Sequence, residues 1–482
     1  MPKRPMRSSP YSIRKKRALE NKLSKAELIQ APRGTKDILP EEAAKWRAVE
    51  QAVHEVGRLF GYGEIRTPSF ENLRLFKRAV GEETDIVSKE MYLLAPNKGT
   101  VEDLALFALR PELTAPVVRA AIEHGMLTGQ SDCVRLYYNS ARNYRYEKPQ
   151  KGRLREFNQF GTELLGSSDS LADAETIAFA ISVYRKLGLD NFKVRLNTLA
   201  SPSARSEWRE QLVPFLKDNF GSLSADSQYR VLSNPIRILD SKLQQDREVI
   251  AKAPSLQEFL TPDDRSHFDN LKLHLMAMGI KYEVDPHLVR GLDYYTRTVF
   301  EITSSDLGSQ DALCGGGRYD NLVEQLGGPP TPAVGFAAGV ERLIIALEKR
   351  FELPDTERIK YYIAAREDIS KYYVIALADK LRAQNALVTY DLNNRSLKSQ
   401  LKDADRKKAK YFIQLGGFNR LEKLDEAIDE KNVDVREMGT GKQQELPRVI
   451  FVDVTGPDFY TVINGLAENI LKLDSEFIFY NS

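Results

Sequence analysis

The sequence predicts an α+β chain followed by a separate α/β unit, and three observations carry that prediction. At 482 residues the chain exceeds what one typical core holds. Strand-like runs and helices are interleaved before about residue 200 and after about residue 280, with a strongly helical block between them. Beyond a linker at Pro354 to Arg358, strands and helices alternate in the manner of a small α/β domain with a parallel or mixed sheet.

Taken in order, residues 1–30 are rich in Lys and Arg, include Ser8, Ser9 and Pro10, and are expected to form a disordered basic extension. That composition is compatible with RNA contact and with an organelle transit peptide. A helix is expected from Pro40 to about Phe60, then an extended segment from Gly61 to Pro68, then strand-like runs to about Gly166 with helical interludes such as Ala115 to His124. The helix after Ala172 leads to a strand at 192–198. In the block at about 200–280, Trp208, Leu212 and Phe215 are spaced for one helix face, as are Phe268, Leu271 and Leu275. Strand character returns from Leu288 to Thr303, passes through a glycine-rich turn at Gly315 to Gly317, and closes with a helix from about Gly339 to Arg350. C-terminal strands are expected at 360–366, 387–392, 411–416 and 449–454, with helices near Ser370 to Gln384, Ser396 to Lys408 and Pro457 to Leu473.

Composition excludes several classes. Charged residues make up 29% of the chain and mean hydropathy is -0.42, as in a soluble globular protein, and no apolar run approaches the length of a membrane span. The net charge of +2 gives no global field for nucleic acid, so any such contact must come from local patches. Two cysteines, Cys133 and Cys314, cannot form a disulfide framework and suit a reducing compartment, from which a cytoplasmic location is expected. No Cys or His pair has metal-ligand spacing, and the five histidines are scattered.

The most informative stretch is RYEKPQKGRLREFNQFGTE, Arg145 to Glu163. Read with strand period, Arg145 and Glu147 share a face, and so, after a turn at Lys148 to Gly152, do Arg155, Phe157, Gln159 and Glu163. A hairpin face of Arg, Glu, Phe and Gln is not built like a core. It either lies in water or lines a ligand site. Four further segments bear on that choice. LRPELTA (109–115) offers the carboxylate of Glu112 and the hydroxyl of Thr114, and LVRGLDYYTRTVFE (288–301) sets Arg290 ahead of paired tyrosines. CGGGRYD (314–320) lets backbone approach a ligand or turn tightly, but no helix opens at its glycines, so it is no dinucleotide fingerprint. GFAAGVERL (335–343) puts Arg342 in a helix's first turn, where the dipole disfavours a cation, a placement that makes sense beside an anionic ligand.

Together these segments resemble the histidyl-tRNA synthetases, class II aminoacyl-tRNA synthetases, over nearly everything after residue 30. APRGTKDILP (31–40) is similar to the family's opening segment, YGEIRTPSFE (62–71) to motif 1 with its proline at Pro68, the Arg145 to Glu163 hairpin to motif 2, and GFAAGVERL to motif 3. LVRGLDYYTRTVFE and CGGGRYD resemble the two histidine-specific motifs, while NPIRILDSK (234–242) and the run from Asn393 to Ala409 also fit. The chain departs at Leu113, where glycine is common, and at Tyr146 and Asn158, where histidine is frequent.

The resemblance implies an α+β catalytic domain at 31–355, its mixed, mostly antiparallel sheet flanked by helices, with a helical insertion at about 200–280, and a separate C-terminal α/β anticodon-binding domain at 359–482. It implies activation of L-histidine by ATP with release of pyrophosphate, then transfer to the 3′ end of histidine tRNA. Arg145 and Arg290 would hold the α-phosphate and Arg153 and Arg342 the outer phosphates, guanidinium forks suiting that task. Phe157 would stack on adenine and Glu147 accept from its amino group. Glu112, Thr114 and Gln159 would take the α-ammonium of histidine, Glu163 and Tyr295 its imidazole, and Tyr319 would close the pocket. Mg²⁺ is expected with the polyphosphate, with Glu341 supporting it through water and no protein-held metal site. Lys148, Gln150 and Lys151 would meet the tRNA acceptor end, and the helix with Arg395, Lys398 and Lys402 would contact phosphates elsewhere. Motif 1 near Pro68 implies a homodimer. The alternative is a catalytically silent synthetase-like regulatory subunit of histidine biosynthesis, but such paralogues commonly lack the C-terminal domain and parts of the histidine motifs that this chain keeps.

Overall fold

A computed structural model describes residues 29–81, 84, 86–94, 107–129, 133–290, 292, 294–307, 311–348, 358–366, 370–416, 429–451 and 459–473. The expected extension before residue 29, most of the linker at Pro354 to Arg358 and the C-terminal half of the 449–454 strand lie outside the described residues. The chain forms two compact units that part between residues 351 and 352.

In the first unit, eight strands form one sheet in the order β1-β5-β6-β11-β10-β9-β7-β8. They are β1 (Gly63–Glu64), β5 (Val134–Tyr144), β6 (Glu156–Leu165), β7 (Lys193–Thr198), β8 (Tyr282–Val284), β9 (Thr296–Thr303), β10 (Ala312–Arg318) and β11 (Ala333–Gly339). A small second sheet holds β2 (Phe70–Asn72), β3 (Leu93–Leu94) and β4 (Phe107–Leu109). Only the outer pairs of the large sheet, β1 with β5 and β7 with β8, are parallel. The mixed, mostly antiparallel sheet is as expected.

One face of this sheet is closed by helices α1 (Pro40–Phe60), α3 (Ser170–Lys186), α4 (Pro262–Ala277) and α5 (Val340–Leu347), while α2 (Thr114–Glu123) packs in a second cluster. Pro40 starts α1 without losing a needed donor, and Gly61, at φ 72°, ends it in the left-handed conformation. Strand period sorts the side chains. On β6, Phe160 and Leu164 enter the helical core with Phe300 and Ile302 of β9 and Phe336 of β11, which leaves Phe157, Gln159 and Glu163 for the other face.

Two expectations are corrected here. Gly315 to Gly317 do not turn: they lie inside β10, paired on both sides by β9 and β11. A β-carbon on Gly315 would sit 2.0 Å from the Arg290 guanidinium, so a glycine there lets an arginine lie against the strand. The helical block also divides. Trp208, Leu212, Leu216, Val231, Ile238 and Val249 make a small core of their own, with Phe215 packed against it. The last helix, α4, instead gives Phe268, Leu271 and Leu275 to the main core. Thr261 and Asp264 cap its start reciprocally, and His267 meets Asp173 of α3 at 2.8 Å.

The second unit has a mixed sheet in the order β13-β12-β14-β15-β16, formed by β12 (Tyr361–Ala365), β13 (Val388–Tyr390), β14 (Tyr411–Leu415), β15 (Asp429–Glu437) and β16 (Gln443–Phe451). The first three are parallel, and the polar strand β15, which the sequence did not suggest, adds an antiparallel pair. Helix α6 (Leu397–Arg406) is shorter at both ends than the expected 396–408.

Candidate active site

On the sheet face opposite the helices lies a cavity of about 250 Å³. Its wall brings together ten of the expected residues from distant parts of the chain: Glu112, Thr114, Arg145, Glu147, Arg153, Phe157, Gln159, Arg290, Tyr295 and Arg342. Glu163 and Tyr319 stand immediately behind that wall.

One end of the cleft is cationic. Arg145 donates from Nε to the Pro111 carbonyl at 2.9 Å, and its guanidinium lies 5.4 Å from the centre of the Phe157 ring. Arg342 donates to the carbonyls of Gly152 at 3.2 Å and Ala312 at 2.9 Å. Burial first, and then the charge of Arg153, lower its affinity for its proton. Arg290 donates from Nη1 to Glu301 at 2.9 Å, while its Nε is buried and makes no hydrogen bond among the described residues. Arg153 is ion-paired with Glu147, the group expected to receive the adenine amine. A carboxylate has about four acceptor sites, so that pair leaves Glu147 capacity for a second donor. Several cations gathered in one partly buried cleft repel each other unless a polyanion joins them.

The other end is a buried carboxylate network. Glu112 caps the start of α2, accepting from the backbone N–H of Thr114 at 2.8 Å and of Ala115 at 3.0 Å. Burial pushes its carboxyl above the usual range, against the pull of those bonds. The Thr114 hydroxyl donates to Glu163 at 2.9 Å and the Tyr319 hydroxyl donates to the other oxygen. Glu163 is 0% exposed, and burial pushes its carboxyl up to about 8 despite those donors. Gly335 faces Glu163 across β11 and β6, and a β-carbon there would meet the carboxylate at 1.9 Å. Tyr319, expected to close the pocket, does not itself line the cavity, nor does Glu163, and the Tyr319 hydroxyl donates to Glu163. Tyr295 does line the cleft.

Three side chains were not anticipated. Asn143 donates to the Gln159 side-chain carbonyl at 2.8 Å and so fixes which way that amide points. Its signal was available, since Asn143 sits opposite Phe157 in the β5–β6 ladder and next to Gln159 on the same face. Tyr294 lines the cleft with its ring 4.8 Å from that of Tyr295. Asn158 binds Glu341 through its backbone and side-chain N–H groups, both at 2.9 Å to Oε1. Arg155 leaves the predicted face, because β6 begins only at Glu156, and stacks 4.0 Å from the Tyr146 ring. Leu113 is buried with Val117, Leu136 and Tyr138 in an ordinary right-handed conformation, so this position has no need of glycine.

The family model for histidyl-tRNA synthetase matches residues 34–343, and a model for an anticodon binding domain matches 360–455. The chain belongs to the histidyl-tRNA synthetase family. It is 45% identical over 420 residues to a histidine–tRNA ligase of Caldanaerobacter subterraneus subsp. tengcongensis, covering 87% of this chain and 97% of that one. It is 42% identical over 428 residues to a histidine–tRNA ligase of Listeria innocua, covering 88% and 97%. Among solved structures it is similar to apo histidyl-tRNA synthetase of S. aureus, with a TM-score of 0.71 and 34% identity over 92% of this chain and 100% of that one. It is also similar to a Bacillus halodurans protein described as an ATP phosphoribosyltransferase regulatory subunit/histidyl-tRNA synthetase, with a TM-score of 0.57 and 25% identity over 79% and 97%.

For a histidyl-tRNA synthetase family member, the residues expected to meet tRNA fall into two groups. Lys148, Gln150 and Lys151 are exposed on the tight turn after β5, closed by a bridge between Gln150 and Arg153. In the second unit Lys398 and Lys402 are exposed on α6, and Arg395, just before that helix, is partly exposed. It is ion-paired with Asp391 and, at 2.9 Å, with the buried Asp403, which also binds Arg406 and Lys407. Among the described residues no group of three or more His, Cys, Asp and Glu is placed to hold a metal ion, and no helix is long and apolar enough to cross a membrane.

Proposed function

We propose that this protein is a histidine–tRNA ligase. A carboxylate oxygen of histidine attacks the α-phosphorus of ATP, the bond to the bridging oxygen breaks, and pyrophosphate leaves with the electron pair. A terminal ribose hydroxyl of tRNA then attacks the carbonyl carbon of the histidyl-adenylate, and AMP departs. Phosphoryl transfer of this kind needs alignment and charge stabilisation rather than a protein nucleophile. The observation that carries the reading is one cleft with arginines at one end and a donor-held carboxylate at the other.

Arg145, oriented by a backbone carbonyl, and Arg290, with its buried Nε, are suited to the α-phosphate, with Arg153 and Arg342 outside them. Phe157 offers a flat face to adenine and Glu147 its remaining acceptor capacity. Glu112, Thr114 and Gln159 present oxygens for the α-ammonium. Glu163 reaches an imidazole only at the inner limit of the cleft, beside Tyr295, and Tyr319 sets its orientation. A buried site of this sort discriminates strongly against analogues without matching polar atoms. Mg²⁺ would arrive on the polyphosphate and shield its charge. Glu341 fits only a supporting role through water, since both its oxygens accept from Asn158, and no step is assigned to the ion.

A homodimer is supported by a small apolar surface near Pro68. Phe70 and Phe107 are 52% and 40% exposed and meet edge to face at 6.0 Å, with Leu93 on the same small sheet. A two-fold contact there would bury all three. The regulatory-subunit reading is weaker: the chain retains the segment that matches the anticodon binding domain, as well as the arginines a silent subunit would not need. The deciding experiment measures histidine-dependent exchange of pyrophosphate into ATP and attachment of histidine to tRNA. Both are expected, and absence of either sinks the ligase assignment.

A further inference from the structure

The segment NPIRILDSK, which the adenylation chemistry leaves without a task, forms one wall of a second cavity of about 710 Å³. This chamber shares Arg153, Arg290 and Arg342 with the cleft, so the three arginines placed around the phosphates border both cavities. On its far side stand Arg237, Lys242 and Arg247 from the small helical core. Seven basic and four acidic side chains line it, and two of the acids are already answered: Arg195 binds Asp285 and, at 3.2 Å, Glu301, which Arg290 also binds.

The wall is built rather than incidental. Asp246, fully buried, accepts from the Ser224 backbone N–H at 2.7 Å and from the hydroxyls of Ser224, Ser227 and Ser241 at 2.8, 2.8 and 2.5 Å. That knot fixes the turn on which Lys242 follows Ser241, and Ile238, Val249 and Ile250 pack beneath it. Lys242 and Arg247 are exposed and form no ion pair among the described residues. Their charge faces a chamber with no Phe, Tyr or Trp in its lining. Single-stranded nucleic acid is usually held by stacking on such rings, so the lining favours a small polyanion.

Resting on the ligase reading above, we propose that this chamber is the exit subsite for pyrophosphate. As the α-phosphorus bond breaks, the departing dianionic ends pass from Arg153 and Arg342 to Lys242, Arg247 and Arg237, and the insertion thereby speeds release and, in reverse, captures pyrophosphate. The test is the full-length double variant Lys242→Ala, Arg247→Ala, with histidine-dependent pyrophosphate exchange measured as pyrophosphate is titrated. Loss of two exposed cations should raise the KM for pyrophosphate about fivefold at low salt, less at high salt, with the KM values for histidine and tRNA unchanged. A rise in the KM for tRNA with that for pyrophosphate unmoved would make the chamber a groove for the acceptor strand and overturn the proposal, as would no change in either. A wild-type protein without exchange would instead defeat the ligase reading itself, so the two failures are distinguishable. Both substituted side chains are exposed, and an unchanged melting temperature confirms that the variant is folded.

Discussion

The catalytic-unit cleft and helix α6 of the second unit are both rich in basic residues, yet the structure treats their cations differently. In the cleft, Arg145 and Arg342 donate to backbone carbonyls, which orient a guanidinium without cancelling its charge. At and beside α6, Arg395, Arg406 and Lys407 share the carboxylate of Asp403, and Arg395 also pairs with Asp391, so each meets an acid that offsets part of its charge. Arg153 and Arg290 are intermediate, each with one carboxylate partner, and Arg290 keeps a buried Nε with no hydrogen bond among the described residues. The partner of a basic side chain, more than its place in a basic run, decides how much of its charge is left for a ligand to meet.

The largest effect expected from this contrast is at Arg290. Arg290→Ala should lower pyrophosphate exchange by about 10²–10³, the size of losing one preorganised charge-stabilising donor, with the fold intact. Exchange within twofold of wild type would erase the distinction drawn here. The cleft also holds the opposite case, a buried acid. Glu163→Gln should raise the KM for histidine about 10- to 100-fold and that for ATP less than about twofold, since only the histidine end loses a carboxyl that can ionise against the ligand ring. Equal losses would break the division of the cleft. Folding raises the Glu163 pKa, so its stability contribution is full below the ordinary carboxylate range and is lost as pH rises toward about 8. The melting temperature of Glu163→Gln relative to wild type should therefore improve across that interval.

On α6 the sign reverses. Burial would raise the Asp403 carboxyl, but Arg395, Lys407 and Arg406 hold it well below the usual range. The stability it gives is present above the ordinary carboxylate range and lost as pH falls below it. Asp403→Asn should melt about 4 °C lower at neutral pH, a gap that closes in acid. A gap that does not narrow at all as pH falls below the ordinary carboxylate range would mean that shape, not charge pairing, stabilises the helix. The smallest effect belongs to the exposed pair. Lys398→Ala with Lys402→Ala should raise the KM for tRNA about twofold to fivefold without changing exchange. No change would leave α6 a purely structural helix.

Much of the site was legible because it follows local rules. Phe157, Gln159 and Glu163 share a face by the period of a strand, and Arg342 in the first turn of a helix stands out as a cation the dipole disfavours. Arg155 failed the same rule because β6 starts one residue after it. The glycines of β10 look like a turn in sequence because what they admit is remote: Arg290, 25 positions away, at Gly315, and the backbone carbonyls of Gly335 and Thr298 at Gly316 and Gly317. Helix α4 was assigned to the insertion because its apolar spacing fits any core, and only its contacts with α3 show which.

By itself the sequence determined the two-unit organisation, the mixed sheet with its helices, and the residue types that share the β6 face, since periodicity and residue chemistry are local properties. Tertiary structure decided which groups meet. It placed Tyr319 against Glu163, tied Gln159 to Asn143 and Asn158 to Glu341, and paired Arg395 with Asp403. Those outcomes depend on pairings up to 183 residues apart, and the free energy of a buried charge is set by its neighbours in space rather than in sequence.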